Sequence, residues 1–236
     1  MWKESRKNDP STVEPSSTAV VIVDMQYSTA CRTTGAGKAA KEAGKADAVE
    51  YRYSRIENVV VPNIQKLLDF FRKNKLRIIH ITNGSEMPDY SDCLPRRGRN
   101  YESKNNTKGN REHEILDEIK PLPTECVINK TTVSAFTSTN IDMILNEAMG
   151  IQCLLFTGVS TDGCVENTAR DAVDHGYQCV MVEDACVSWE EIFHNTTLTH
   201  FRERSEGSSV ETTKDIIKEL STALSNKPAL ADVASN

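Results

Sequence analysis

Three side chains of complementary chemistry stand at or just beyond the ends of apolar runs: Asp24 after AVVIV, Lys130 after CVIN, and Cys164 in the turn that follows CLLFTGV. A thiol is a weak nucleophile until it loses its proton, and an ammonium or a helix N-terminus stabilises the resulting thiolate. A carboxylate in a partly desolvated site can accept the thiol proton and return it to a leaving amine. Backbone N–H groups at a strand-to-helix turn can hold an oxyanion. Together these are the parts of acyl transfer through a thioester. Each residue alone has a plainer account: aspartate is common at turns, lysine is mostly exposed, and a free cysteine is most often a small buried hydrophobe. The weight lies in three strand ends delivering an acid, a base and a thiol to one sheet edge.

The elements that must position them follow from periodicity. Short β-branched runs predict strands at AVVIVDM (19–25), LRIIHIT (76–82), ECVIN (125–129), CLLFTGV (153–159) and YQCVMVED (177–184). Helical spacing marks 53–74, 138–149, 163–175, 189–204 and 211–224. Pro62 interrupts the first of these and predicts a helix that starts near it, with the proline in the first turn. Ser138 or Thr139 is a candidate cap, and Gly150 and Gly176 are candidate stops. Strands alternating with helices imply a parallel sheet covered on both faces, whose ligands bind beyond the carboxyl ends of the strands. Residues 83–112, rich in Asn, Arg, Gly and Ser, read as one long loop, and such loops are usually functional or mobile.

The 236 residues suffice for one domain, expected over 17–224, with a disordered leader at 1–16 and a flexible tail at 225–236. The net charge of −6 argues against a nucleic-acid partner. No apolar run approaches the ~18 residues of a membrane helix, and the polar N-terminus lacks a signal-peptide pattern, so a cytoplasmic protein is the expectation. Seven cysteines at wide spacing, without a C-x-x-C pair, argue against a disulfide framework or zinc ribbon. Cys153, Cys179 and Cys186 read as buried. Substrate contacts are sought near the same edge: Asn83, Ser85 and Glu86 after the second strand, Arg96, Arg97 and Arg99 for a substrate carboxylate, and Phe136 against the substrate or in the core. His80 reads as a strand residue, and His194 and His200 as structural or exposed.

The blocks DMQ (24–26), KTTVSAFTSTNID (130–142), FTGVSTDGCVENTARDA (156–172) and VEDAC (182–186) resemble the isochorismatase-like cysteine hydrolases over about residues 18–204. The third block is the most specific, with Gly158, Thr161, Asp162, Cys164, Val165, Thr168 and Asp171 in place. RIENVVVPNIQKLLDFFR (55–72) and STNID (138–142) look like one large branch of that family. The resemblance implies a three-layer α/β/α sandwich with a mainly parallel sheet of about six strands. It implies Asp24, Lys130 and Cys164 as the triad, and a cis peptide between Val159 and Ser160 that turns the Ser160 and Cys164 N–H groups toward an oxyanion. Members hydrolyse small amides and ureides, and are commonly homo-oligomers.

Three departures narrow the expectation. Relatives that cleave the vinyl ether of isochorismate usually lack the cysteine, so Cys164 favours C–N hydrolysis. Metal-containing nicotinamidases carry an Asp-x-His pair that HITNGSEMPDYSD (80–92) lacks, so no metal and no cofactor are expected. The aromatic that commonly follows D-x-Q is missing, and Tyr27 is the candidate to fill its place. The expected function is cysteine-dependent hydrolysis of a small amide, ureide or carbamoyl compound. Two alternatives remain: a vinyl-ether hydrolase with Cys164 as pocket wall, and a non-catalytic thiol-bearing binding or redox protein.

Overall fold

A computed structural model of the chain describes residues 14–204 and 208–226. The expected leader and tail lie mostly outside the described residues. Of the leader, Pro15–Ser17 forms a 3-10 turn with Pro15 buried, and the last helix runs to Asn226.

Six strands, β1 (Thr18–Val23), β2 (Arg77–Asn83), β3 (Cys126–Lys130), β4 (Cys153–Val159), β5 (Gln178–Val187) and β6 (Ser208–Glu211), form one parallel sheet in the order 3-2-1-4-5-6. Helices α1 (Tyr27–Ala30), α2 (Gly35–Glu42), α3 (Glu50–Arg55), α4 (Val61–Lys73), α5 (Pro95–Glu102), α6 (Ala135–Ser138), α7 (Ile141–Met143), α8 (Glu166–Asp174), α9 (Glu191–Arg204) and α10 (Thr213–Asn226) connect and cover it. The strand order reverses between β1 and β4, which opens a crevice at their carboxyl ends.

β1 explains why the sheet is buried on both sides. Its residues alternate between two cores. Val20 and Ile22 pack with Ile64, Leu67, Leu68 and Phe71 of α4 and with Ile216 and Leu220 of α10. Ala19, Val21 and Val23 pack on the opposite side with Ile141, Ala169, Ala172, Leu198 and Phe201 from α7, α8 and α9. Each fully buried aliphatic side chain contributes about 1.5–3 kcal/mol, so this central strand is fixed in register by both layers. The buried set of Cys153, Cys179 and Cys186 is as expected.

The fold departs from the sequence reading in four places. The helix does not begin at Pro62: α3 runs through a π turn, Ile56–Val60, straight into α4. Val61 N–H reaches back five residues to Ile56, and the wider turn accommodates a proline that has no N–H to give. The 138–149 pattern is broken into α6, α7 and a π turn at Ile144–Ala148, with Ser134 capping α6 through Phe136 N–H. β6 carries one buried apolar residue, Val210, which is too little periodicity to betray a strand. The 83–112 segment contains α5, whose PRRGRNYE sequence buries only Gly98 and Tyr101 and has no apolar stripe.

Gly158 is the tightest point between β1 and β4. It adopts φ +105°, and a Cβ there would stand 2.1 Å from the Val23 carbonyl oxygen. Only glycine permits this approach. It occurs beside the irregularity in β4–β5 pairing between Phe156 and Gly158, where β4 turns toward the site.

Two buried histidines give stability a pH dependence. Burial pulls the imidazoles of His80, which bonds Glu125 at 3.2 Å, and His194 down to about 4. A depressed histidine binds fewer protons folded than unfolded, so its contribution is complete above about 6.5 and is lost as pH falls toward about 4. The stability loss from these two groups between pH 7 and 4.5 should be of the order of 2–3 kcal/mol each. Urea unfolding at both pH values should show this, and His80→Gln and His194→Gln should each flatten the pH dependence.

Candidate active site

The crevice between β1 and β4 gathers the three predicted side chains. Asp24, the first residue after β1, is 2% exposed and adopts φ +53°, a left-handed conformation that aspartate tolerates better than most residues. Its N–H still bonds Ile81 O at 2.8 Å. Lys130 ends β3, two strands away, and is fully buried. Neighbouring strands are ~4.8 Å apart, so its extended side chain is needed to reach back over β2.

The Lys130 ammonium uses all three donors. Nζ bonds Asp24 Oδ2 at 3.0 Å, the Cys164 sulfur at 3.2 Å and Thr132 O at 3.2 Å. The second Asp24 oxygen, Oδ1, is buried without a hydrogen-bond partner. Coulomb attraction to Asp24 and Cys164 raises the lysine against the opposing effect of burial, so it stays protonated. Cys164 is only partly buried at its surface. Burial and the neighbouring Asp24 carboxylate push its thiol up, and Lys130 only partly offsets them. The ammonium by itself therefore does not draw the thiol below its ordinary range. A carboxylate stands beside the sulfur to take its proton.

The turn carrying Cys164 is built from the FTGVSTDGCVENTARDA block. After the Val159–Ser160 peptide bond, which is cis, a π turn spans Thr161–Val165 and leads into α8. Thr161 Oγ1 and His194 Nδ1 are 2.8 Å apart, and Asp162 N–H donates to Ser188 Oγ at 3.2 Å. Arg55 stands 3.2 Å from the other ring nitrogen of His194, which makes His194 a structural link. Thr168 Oγ1 donates to Cys164 O at 2.6 Å and accepts Ala135 N–H at 3.3 Å, tying the cysteine turn to the segment after Lys130.

Gln26 explains the D-x-Q pattern. Its Oε1 accepts Asn83 N–H at 2.8 Å, and its Nε2 donates to Asn83 O at 3.0 Å and His113 O at 2.7 Å. A side-chain amide thus continues the sheet past β1 and joins it to the 83–112 segment. Asn83 is consequently occupied by structure, with its carbonyl and side-chain oxygens taken by Asn106 as well.

The other predicted contacts separate into two groups. Arg97 lies beside the triad: its Nη2 bonds Tyr101 OH at 2.8 Å and Thr132 O at 3.3 Å, the carbonyl that Lys130 also uses. Ser85 bonds Met87 O and the Asp92 carboxylate, Glu86 pairs with Lys108 at 2.8 Å, and Tyr27 stacks under Arg111 at 3.9 Å. Phe136 packs against His175 at 4.8 Å and Tyr177 at 6.0 Å. None of these four side chains bonds Asp24, Lys130 or Cys164. Arg96, Arg99 and His200 are exposed.

One residue escaped the sequence reading altogether. Arg52 of α3 is 2% exposed, donates to Ser160 Oγ at 2.8 Å and Thr29 O at 3.2 Å, and lies over the Trp189 ring at 4.2 Å. A charged residue one position before an apolar helical pattern looks like a surface residue. Nothing in the local spacing distinguishes it. Among the described residues, no cluster of His, Cys, Asp or Glu is arranged to hold a metal ion, and no helix is long and apolar enough to cross a membrane.

The parallel α/β scaffold and the Asp–Lys–Cys constellation define a class of thiol-bearing α/β proteins. The chain belongs to the isochorismatase family: residues 18–215 match the isochorismatase domain model. It is 34% identical over 194 residues to proteins named ureidoacrylate amidohydrolase RutB from Rhizobium rhizogenes and Agrobacterium fabrum, covering 75% of this chain and 73% and 78% of theirs. Among solved structures, a cysteine hydrolase from Pseudomonas syringae pv. phaseolicola superposes with a TM-score of 0.72 at 23% identity, covering 90% of this chain and 96% of that one. N-carbamoylsarcosine amidase from Thermoplasma acidophilum superposes with a TM-score of 0.60 at 25% identity, covering 83% of this chain and 96% of that one.

The buried pair makes a stability prediction. Removing one partner strands the other charge in the interior, at a cost of about 3–5 kcal/mol, whereas removing both leaves no charge stranded. Lys130→Met should therefore be strongly destabilised in urea unfolding. The double variant Lys130→Met/Asp24→Asn, which keeps a side chain that tolerates the left-handed backbone at 24, should recover much of the loss. Independent, additive losses would contradict the coupling.

Proposed function

We propose that the protein is a cysteine amidohydrolase that cleaves the C–N bond of a small amide, ureide or carbamoyl compound. The observation that carries this reading is the Lys130 ammonium bridging the Asp24 carboxylate and the Cys164 sulfur. Family membership and the named amidohydrolase relatives support the reaction class.

In this reading Asp24 accepts the Cys164 proton as sulfur attacks the substrate carbonyl. A C–S bond forms and the carbonyl oxygen becomes an oxyanion, held by the N–H groups of Ser160 and Cys164. The C–N bond then breaks, and the leaving nitrogen takes the proton from Asp24. Water, deprotonated by the same carboxylate, adds to the acyl carbon. The C–S bond breaks, sulfur regains a proton, and the acid is released; a carbamic acid product decays to carbon dioxide and an amine. Lys130 holds Asp24 in place and stabilises negative charge as it moves between carboxylate and sulfur. Because burial and the Asp24 carboxylate push the thiol up, proton transfer to Asp24 accompanies the attack in this reading. We further propose a cytoplasmic location and, on the family resemblance, a homo-oligomer.

Ammonia release should be measured across a panel of small amides and ureides, including ureidoacrylate because of the named relatives, with wild type, Cys164→Ser and Asp24→Asn. The expected result is turnover of at least one compound and a loss of ~10³-fold or more in both variants. Full activity in Cys164→Ser would overturn the mechanism. Pyruvate release from isochorismate that survives Cys164→Ser would move the protein to the vinyl-ether class.

A further inference from the structure

Arg52 is a buried cation to which the triad chemistry gives no task. It is 2% exposed, and among the described residues no carboxylate lies within ion-pair distance of it. Its Nη2 donates to Thr29 O at 3.2 Å, and Thr29 Oγ1 in turn donates to Asp24 O. Its Nη1 donates to Ser160 Oγ at 2.8 Å. The guanidinium thus spans from the strand end that carries the base to the turn that carries the thiol. Burial pulls it down to about 10, which still leaves it charged at neutral pH.

A guanidinium has donors only, so in its bond with Arg52 the Ser160 oxygen accepts. A hydroxyl that accepts keeps its own proton to give, and among the described residues no side chain or carbonyl takes it. Accepting from a cation also makes the hydroxyl a stronger donor. Ser160 is only partly buried, while Arg52 behind it is closed off from solvent, with the Trp189 ring 4.2 Å away. Ser160 O accepts the N–H groups of Gly163 at 2.9 Å and Val165 at 3.2 Å, so the serine is wrapped onto the same turn that presents Cys164. The Cys164 N–H, between those two donors, does not bond that carbonyl.

We propose that the Ser160 hydroxyl donates a hydrogen bond to the substrate's carbonyl oxygen, beside the backbone N–H groups, and that Arg52 is the positioning residue that aims and strengthens it. The proposal rests on the hydrolase reading for its placement of the reacting carbonyl at Cys164. The proton stays on Ser160 throughout. It bonds the oxyanion as the C–S bond forms and is released when the carbonyl re-forms. The Arg52 charge therefore acts on the oxyanion through one hydroxyl, without touching the substrate. A serine that only held the turn in place would need no cation behind it, and a buried guanidinium without a counter-charge is costly to keep.

Two reactions of Cys164 separate these roles. Acylation by p-nitrophenyl acetate forms a C–S bond at a carbonyl and passes through an oxyanion before p-nitrophenolate leaves. Alkylation by iodoacetamide displaces iodide at a saturated carbon and forms no oxyanion. Both are followed on the full chain, the first by p-nitrophenolate release above the Cys164→Ser background, the second by peptide mass spectrometry. Ser160→Ala should slow acylation about 100-fold, as loss of one oxyanion donor does, and leave alkylation within about threefold. Ser160→Thr keeps the hydroxyl, on an extended backbone (φ −90°, ψ 146°) that a β-branched residue adopts, and should hold acylation within about tenfold of wild type. Arg52→Lys should slow acylation and spare alkylation; the serine variants carry the test should this buried substitution fail to fold. Equal slowing of both reactions in Ser160→Ala, or of neither, overturns the hydroxyl's role and leaves the hydrolase reading standing. Wild-type acylation no faster than in Cys164→Ser would count against the hydrolase reading itself, and with it the oxyanion.

Discussion

One buried ammonium organises the site. Lys130 sits in the interior with no exposure, and its charge is tolerable there because three acceptors take its three protons. At 3.0 Å from Asp24, and with an effective dielectric of ~20, the attraction is about 5–6 kcal/mol. Desolvating the two ions costs a comparable amount, so the pair adds little net stability. What it supplies is position. The carboxylate cannot turn away, and the sulfur has a donor on one side and an acceptor beside it.

Much of the surrounding fold serves that placement. Gly158 lets β4 press onto β1, which brings the cysteine turn against Asp24. Gln26 extends the sheet edge by pairing its side-chain amide with the Asn83 backbone, and so anchors the segment that carries Arg97. Thr168 bonds both the cysteine turn and the start of α6. These links are short-range and polar, and they lie at the ends of strands whose middles are held by apolar packing on both faces. The core sets the register, and the register sets which residues face the crevice.

That Asp24, Lys130 and Cys164 come together was legible in the sequence because they fall where apolar runs end, and strand ends are the part of a parallel sheet that periodicity locates well. Five of the six strands, the edge strand β3 among them, carry apolar runs long enough to be read directly. β6 does not, since it needs only one buried apolar residue, Val210, to dock. Pro62 misled because a π turn lets a helix pass through a proline, and that depends on tertiary packing of Ile56 and Val60 rather than on local propensity. The substrate side was the least legible. Asn83, Ser85 and Glu86 sit close in sequence to the right strand end, yet their side chains are spent on Asn106, Asp92 and Lys108. Arg52 was invisible because nothing in a single helix marks which charged residue its tertiary contacts will bury.

Burial and the Asp24 carboxylate push the Cys164 thiol up beside the Asp24–Lys130 pair, so sulfur should lose its proton only as it attacks. Thiolate absorbance in the ultraviolet, taken as the difference between wild type and Cys164→Ser across a pH titration, measures this at equilibrium and without substrate. No thiolate signal from Cys164 is expected at neutral pH, and a rise only above the ordinary thiol range of about 8.5. A full thiolate signal persisting at pH 6 would contradict it, and would mean that Lys130 outweighs both burial and Asp24.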